Sequence, residues 1–223
     1  MSVQRSRLWQ PTLFAAFTLI LAGYLSVWLP HEAAGLSFIG VELGEWVKFL
    51  PQVQSGEPAA NRELFYLPPL TLAAMMVLVS ARWSGRRWQT WAFRALALLV
   101  AMLAFPSLDA IRFEPASEWL LRFLLVATVA ILALGAGFLA KLPPWLLWFS
   151  VVFLALSGAL LPSWVYLSIR QPVASLWREQ PAIGAGVWLN FAGHVIAGGI
   201  AAWCCWELIG GTSGERIESE KAV

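Results

Sequence analysis

Residues 30–64 read PHEAAGLSFIGVELGEWVKFLPQVQSGEPAANREL and form the longest polar interruption in an otherwise apolar chain. On both sides of it the sequence consists of apolar runs separated by turns and short loops. Of the 223 residues, 59% are hydrophobic and only 13% are charged, whereas a typical soluble domain has about 25% charged residues. This composition predicts an all-α, polytopic integral membrane protein, a multi-pass helix bundle.

Six apolar segments are long enough to cross a hydrocarbon core of about 30 Å at a rise of about 1.5 Å per residue. We predict transmembrane helices at residues 11–29, 65–81, 88–105, 119–140, 145–168 and 185–209, within a single transmembrane domain spanning residues 1–209. The first segment is interpreted as a retained anchor, with a cleaved signal peptide as the alternative. The small and charged residues 210–223 are predicted to be a flexible cytoplasmic tail.

The distribution of basic residues predicts the orientation, because lysine and arginine near the ends of membrane spans favour the cytoplasmic side. With the N-terminus inside, the inner segments hold Arg5, Arg7, Arg82, Arg86, Arg87, Arg94, Lys141, Arg216 and Lys221. The outer segments hold only Lys48, Arg62, Arg112, Arg122, Arg170 and Arg178. We therefore predict a protein of the cell membrane with both termini cytoplasmic and residues 30–64 outside.

Apolar residues within the outer segment recur at helical spacing, which predicts an interfacial amphipathic helix at about 36–50. The residues that share this face are Ile39, Leu43, Trp46, Val47 and Leu50, and we expect the face to rest on the membrane. Glu42 and Glu45 lie three residues apart on another face. One hypothesis is a proton-handling pair, or a site for a hard divalent cation completed by Glu32, Glu57 or Glu63. The alternative is a solvated helix face, and because no calcium-loop spacing is present, no metal is predicted.

The sixth segment places two polar residues, Asn190 and His194, one helical turn apart near mid-membrane depth. An ionisable group at that depth is a functional candidate, as a proton relay, as the lining of a polar path, or as a haem ligand. The alternative is a neutral imidazole that is hydrogen-bonded to a neighbouring helix. Gly193, Ala197 and Ala201 favour this alternative, because rows of small residues let helices approach closely. We predict no cofactor.

Other polar and small residues in the apolar segments have simpler interpretations. Arg94 and Glu207 would lie toward the same membrane face, where they would either pair with each other or extend to the lipid headgroups. We expect Arg122 to contact lipid headgroups, and Gly135 and Gly137 to mark a close helix crossing. Cys204 and Cys205 are interpreted as small buried residues, with acylation as the alternative.

Known catalytic motifs are missing from the chain: no HExxH, P-loop or GxSxG sequence is present. Three functional hypotheses remain. The first is a non-catalytic subunit of a membrane complex, whose partners are the lipid bilayer and other membrane subunits. The second is a small transporter with a path at Asn190 and His194. The third is a membrane enzyme with outer-face residues Glu42, Glu45, Arg62 and Arg112. The net charge of +2 predicts no nucleic-acid partner.

Overall fold

The computed structural model describes residues 9–55, 61–83 and 87–221, without the side chains of Ala34 and of residues 210–221. The chain is mostly helical, as the all-α prediction requires. Its helices are α1 (Trp9–Leu25), α2 (Gly40–Trp46), α3 (Pro51–Gln54), α4 (Leu67–Ser80), α5 (Trp88–Ala101), α6 (Leu108–Phe113), α7 (Leu120–Leu134), α8 (Ala136–Leu139), α9 (Pro144–Trp177) and α10 (Ala185–Lys221). Short 3-10 turns at Ala34–Leu36, Val47–Phe49, Arg62–Tyr66, Met102–Ala104 and Ala116–Glu118 connect some of them.

Helix α4 is the centre of the bundle. Every residue from Pro68 to Ser80 is buried, as expected for a helix that is apolar on all sides. Helices α9 and α5 pack against α4, α10 packs against both α9 and α1, and α7 packs against α4 and α5. This arrangement forms one large apolar core around α4.

Three helical stretches are long and apolar enough to cross a membrane. They are Arg62–Ser80, Pro144–Trp177 and Ala185–Ile209. The apolar helices Trp9–Leu25, Trp88–Ala104 and Leu120–Leu134 are shorter, at about 22–26 Å for a rise of about 1.5 Å per residue. The chain therefore has membrane-type helices, of which three have the length of a full crossing. The arrangement with six crossings stays a proposal.

The first predicted span, 11–29, is wrong at its C-terminal end, because α1 stops at Leu25. Residues Val27–Leu29 instead form strand β1, which pairs antiparallel with strand β2 at Phe38–Ile39. The indole of Trp28 is fully buried and donates to the carbonyl of Gly23, 2.9 Å away. This hydrogen bond turns the chain back over the end of α1, so the chain leaves the helix earlier than predicted.

The predicted interfacial helix at 36–50 is interrupted, because β2, α2 and a 3-10 turn share this stretch. Its predicted apolar face is partly confirmed, since Leu43, Val47 and Leu50 are buried. They pack on the protein itself, in a second apolar cluster that includes Phe65 and Tyr166. The prediction that this face rests on lipid is therefore wrong.

Three further boundaries differ from the prediction. The fifth segment, 145–168, continues as α9 to Trp177, because Ile169, Pro172 and Val173 extend its buried stripe beneath the outer segment. The fourth, 119–140, breaks at Gly135 into α7 and α8. An added Cβ on Gly137 would meet nothing within 4 Å, so this glycine does not mark a close crossing. Helix α10 runs on to Lys221, and the flexibility of residues 210–223 stays a prediction.

Candidate functional site

Two groups of polar side chains stand out against the apolar bundle. One is a buried contact between α4, α9 and α10 around His194. The other, which we call the cap cluster, joins the outer segment to the start of α7. The cap cluster consists of Glu45, Lys48, Arg62, Glu63, Tyr66, Glu114, Glu118 and Arg122.

His194 is fully buried, and both of its ring nitrogens have hydrogen-bond partners. Nδ1 lies 2.9 Å from the backbone oxygen of Asn190, and Nε2 lies 2.9 Å from Oγ1 of Thr71. Because a carbonyl oxygen only accepts, Nδ1 must carry a proton. In the neutral imidazole Nε2 can only accept, and the Thr71 hydroxyl is the donor that faces it. The same hydroxyl proton also has the Leu67 and Pro68 carbonyls within reach, at 2.9 and 3.1 Å, so these three acceptors compete for it.

The neighbouring helix α9 approaches this pair at Gly158. A Cβ at position 158 would overlap His194 Nε2 and Thr71 Oγ1. The absence of a side chain at Gly158 therefore allows α4, α9 and α10 to meet at this point.

Asn190 is fully buried, and its amide Nδ2 donates to the carbonyl of Gly158 at 3.3 Å. Pro162 lies four residues after Gly158 inside α9. Proline has no N–H, so the usual helical hydrogen bond to the Gly158 carbonyl cannot form. Asn190 thus supplies the donor that Pro162 lacks, in an interior where an unpaired backbone group is costly.

His194 lies in a packed interior, where it is fully buried and both ring nitrogens have contacts within the protein. A small apolar pocket between α4 and α9 is lined by Leu78, Val79, Arg82, Leu147, Trp148 and Val151, and neither His194 nor Asn190 contributes to it. The predicted alternative, a neutral and packed imidazole, agrees with this geometry better than a proton relay or a haem ligand. No group of three or more potential metal ligands occurs in the described parts of the chain.

Arg94 and Glu207 do not come together. Arg94 is 5% exposed, and its Nε donates to Oγ of Ser80 at 3.0 Å, while its Nη2 lies 3.5 Å from the Ser80 carbonyl. Ser80 is the last residue of α4, so the guanidinium lies at the negative end of that helix dipole. Glu207 is exposed on α10, and the ion pairs found among the described residues do not join it to Arg94.

Arg122 is the best-connected member of the cap cluster. It is 2% exposed; its Nη1 contacts Oε1 of Glu45 at 2.6 Å, and its guanidinium lies 4.4 Å from the centre of the Tyr66 ring. The prediction that Arg122 contacts lipid headgroups is therefore wrong. The residue lies in the first turn of the apolar helix α7, and the sequence gives no sign that a carboxylate 77 positions earlier folds onto it.

Glu45 has three close donors and, as a fourth partner, Arg62, whose Nη1 lies 3.7 Å from Oε2. Besides Arg122, the Tyr66 hydroxyl donates to Oε1 at 2.8 Å, and Lys48 Nζ lies 3.1 Å from Oε2. Partial burial alone would raise the pKa of the Glu45 carboxyl, but these three donors outweigh burial and hold the pKa at about 2. A carboxylate with so low a pKa is a poor general acid or base near neutral pH.

The predicted outer-face residues separate into two groups. Glu45 and Arg62 belong to the cap cluster, in which Arg62 contacts the Glu118 carboxylate. Glu42 is exposed, and its carboxylate faces the backbone N–H of Ile39 at 3.4 Å as part of its own helix cap. Arg112 is exposed on α6. The proposed cation pair of Glu42 and Glu45 is therefore not formed, because the two carboxylates have different partners.

Sequence reasoning missed several members of both groups. Thr71, Ser80 and Gly158 carry no pattern that sets them apart from other small or hydroxyl residues. Pro162 does carry a signal, since a proline inside an apolar helix frees a carbonyl that a facing polar side chain can bind. Comparison of the chain with protein-family models, with curated proteins and with solved structures finds no match.

Proposed function

We propose that this chain is a multi-pass integral protein of the cell membrane that serves as a non-catalytic subunit of a membrane complex. In this proposal α1, α4, α5, α7 with α8, α9 and α10 cross the bilayer, and both termini are cytoplasmic. The excess of basic residues on the inner segments supports that orientation. The short helices α1, α5 and α7 would need local thinning of the bilayer or help from their flanking turns.

Both polar groups favour a structural role. His194 and Asn190 use their hydrogen bonds to hold helices together, and the apolar pocket does not reach them. In the cap cluster, arginine and lysine side chains neutralise most of the carboxylates. These contacts use the polar groups of both sites to join parts of the fold to one another, which favours the subunit hypothesis over the transporter and enzyme hypotheses.

The observation that carries the proposal is an uncovered face of α10, which we call the α10 seam. It consists of Trp188, Ala192, Val195, Gly199, Ala202 and Trp206, all exposed. They recur at alternating intervals of four and three, the spacing of helices that pack side by side. The seam is about 27 Å long at about 1.5 Å per residue, with a tryptophan at each end where the membrane interfaces would lie.

The residues near the centre of the seam have small side chains or none. A Cβ on Gly199 would meet nothing within 4 Å, so another helix could approach the α10 backbone closely there. Small residues at such positions favour helix association in membranes, where packing rather than the hydrophobic effect provides the attraction. We infer that a helix of another membrane subunit packs on the seam.

The test replaces Gly199 by leucine, which would prevent the close approach. Gly137→Leu is the matched control, because Gly137 is also a helical glycine with open space around it. The protein would be extracted in polymer-bounded native membrane discs, and the particle mass measured by mass photometry. For the wild type and the control, we expect particles heavier than a disc that holds one chain. For Gly199→Leu, we expect the mass of a disc with one chain. A lone chain in all three samples would contradict the proposal.

A further inference from the structure

The cap cluster has more carboxylates than cations. Among the described residues it contains four glutamates, Glu45, Glu63, Glu114 and Glu118, against Lys48, Arg62 and Arg122. One carboxylate therefore lacks a compensating charge. In a partly buried cluster, such an excess favours uptake of one proton.

Three of the four glutamates have a close cationic partner. Glu45 is held by Arg122 at 2.6 Å and by Lys48 at 3.1 Å. Glu114 lies 2.9 Å from Lys48, and Glu118 is in direct contact with Arg62. Protonation of any of these three would weaken at least one short ion pair.

Glu63 differs from the other three. Its side chain is 16% exposed, against 42%, 31% and 42% for Glu45, Glu114 and Glu118. Its Oε1 lies 3.7 Å from Arg62 Nε and its Oε2 lies 3.6 Å from Arg122 Nε, beyond ordinary hydrogen-bond distance. Oε2 is buried without a hydrogen-bond partner in the described structure, and so is the facing Arg122 Nε.

The arginines near Glu63 direct their best hydrogen bonds elsewhere. Arg122 uses Nη1 for the Glu45 carboxylate and Nη2 for the backbone oxygen of Glu118 at 3.3 Å. Arg62 uses Nη2 for Glu118. A negative charge on Glu63 is thus buried and poorly hydrogen-bonded, with Glu45 and Glu118 competing for the same arginines.

We propose that the cap cluster binds one exchangeable proton, and that Glu63 is the residue that holds it. The charged groups that face Glu63 are Arg62 on its own segment, Glu45 on α2, Glu118 just before α7 and Arg122 in the first turn of α7. Adding a proton to Glu63 removes the excess negative charge and breaks no short ion pair.

The direction in which folding stability changes with pH follows from the linkage between folding and proton binding. If the folded state binds this proton more tightly than the unfolded chain, stability rises as the pH falls through the range in which Glu63 titrates. The stabilising contacts of Glu45 stay intact there, because its pKa is about 2. Mild acidification would therefore stabilise the protein, the opposite of ordinary acid denaturation.

The test uses the full chain in detergent micelles, with Glu63→Gln and the matched variant Glu118→Gln. Glutamine copies the shape of a protonated glutamate and cannot titrate. Between about pH 8 and about pH 6, where an ordinary glutamate with a pKa of about 4.3 stays almost fully ionised, we expect the wild-type melting temperature to rise by about 2–4 °C. A carboxylic-acid C=O band should appear in the infrared difference spectrum over the same range.

We expect Glu63→Gln to lose both the infrared band and the rise in melting temperature, while remaining at least as stable as the wild type at the higher pH. Glu118→Gln should be less stable but should keep both responses. The proposal would be overturned if the band survives in Glu63→Gln, if Glu118→Gln also abolishes it, or if Glu63→Gln does not fold. These outcomes do not depend on whether the α10 seam binds a partner.

Discussion

At the residue scale, Asn190 and Pro162 act on the same backbone carbonyl, that of Gly158. The proline removes its helical donor, and the asparagine amide replaces that donor from a neighbouring helix. The pair gives a structural reason for a polar residue deep in an apolar helix. Asn190 therefore replaces the backbone hydrogen bond that α9 loses at Pro162.

This explanation predicts coupling between the two positions. Asn190→Leu should lower the free energy of unfolding by about 1–3 kcal/mol, because the Gly158 carbonyl would be buried without a donor. In a Pro162→Ala background, the backbone of the new alanine supplies the missing N–H, so the same substitution should cost less. Chemical denaturation of the four proteins of this double-mutant cycle would measure the difference. Equal costs in both backgrounds would show that Asn190 does not act on that carbonyl.

Gly158 offers a second test at this scale. Gly158→Ala would force a methyl group onto His194 and Thr71, which should destabilise the bundle by about 1–3 kcal/mol. Gly137→Ala, in open space on α8, is the control and should be neutral or slightly stabilising, because alanine favours the helix. Thermal unfolding in detergent would compare the two. A neutral Gly158→Ala would mean that the helices separate easily at this point.

At the element scale, α2 is held over the bundle by two kinds of contact. Its apolar face packs on the cluster that contains Phe65 and Tyr166, and Glu45 binds Arg122 at the start of α7. Isolated helices as short as α2 are not stable in water, so the tertiary contacts must stabilise it. The ion pairs therefore set where the outer segment lies.

The Glu45 contacts predict a pH response of this element. Because the folded pKa is about 2 and an unfolded glutamate titrates near about 4.3, the stabilisation is complete above the unfolded value. It is lost as the pH falls through the folded pKa. Glu45→Gln should remove this response and speed backbone hydrogen exchange in α2 at neutral pH.

Glu42→Gln is the control for that measurement. Glu42 is exposed and caps only its own helix, so its replacement should change exchange in α2 far less. If the two variants exchange equally, Glu45 does not hold the outer segment in place.

At the scale of the whole molecule, the proposed six crossings place the cap cluster outside and the hairpin between α8 and α9 inside. Ser55→Cys and Lys141→Cys, both at exposed positions, would report the two sides in a background with Cys204 and Cys205 replaced by alanine. A membrane-impermeant maleimide added to intact cells should label the Ser55→Cys variant only. Labelling of Lys141→Cys without permeabilisation would contradict the proposed threading.

Sequence alone determined the all-α class of the protein and the approximate position of its main helices. Composition and apolar runs are local properties, because each helix satisfies its own backbone and must bury its own apolar surface. For the same reason the helical spacing that buries Leu43, Val47 and Leu50 was visible in advance. Pattern also identified Asn190 and His194 as unusual, although it could not choose among their roles.

Only the tertiary structure decided what those polar residues contact. Arg122 joins Glu45 across 77 positions, and His194 joins Thr71 across 123, and neither distance along the chain leaves a periodic signal. The same holds for the continuation of α9 to Trp177, which the core beneath the outer segment stabilises despite Pro172. Long-range pairing depends on how the helices cross and on which side chains already have hydrogen-bond partners. Both can be read only from the folded structure.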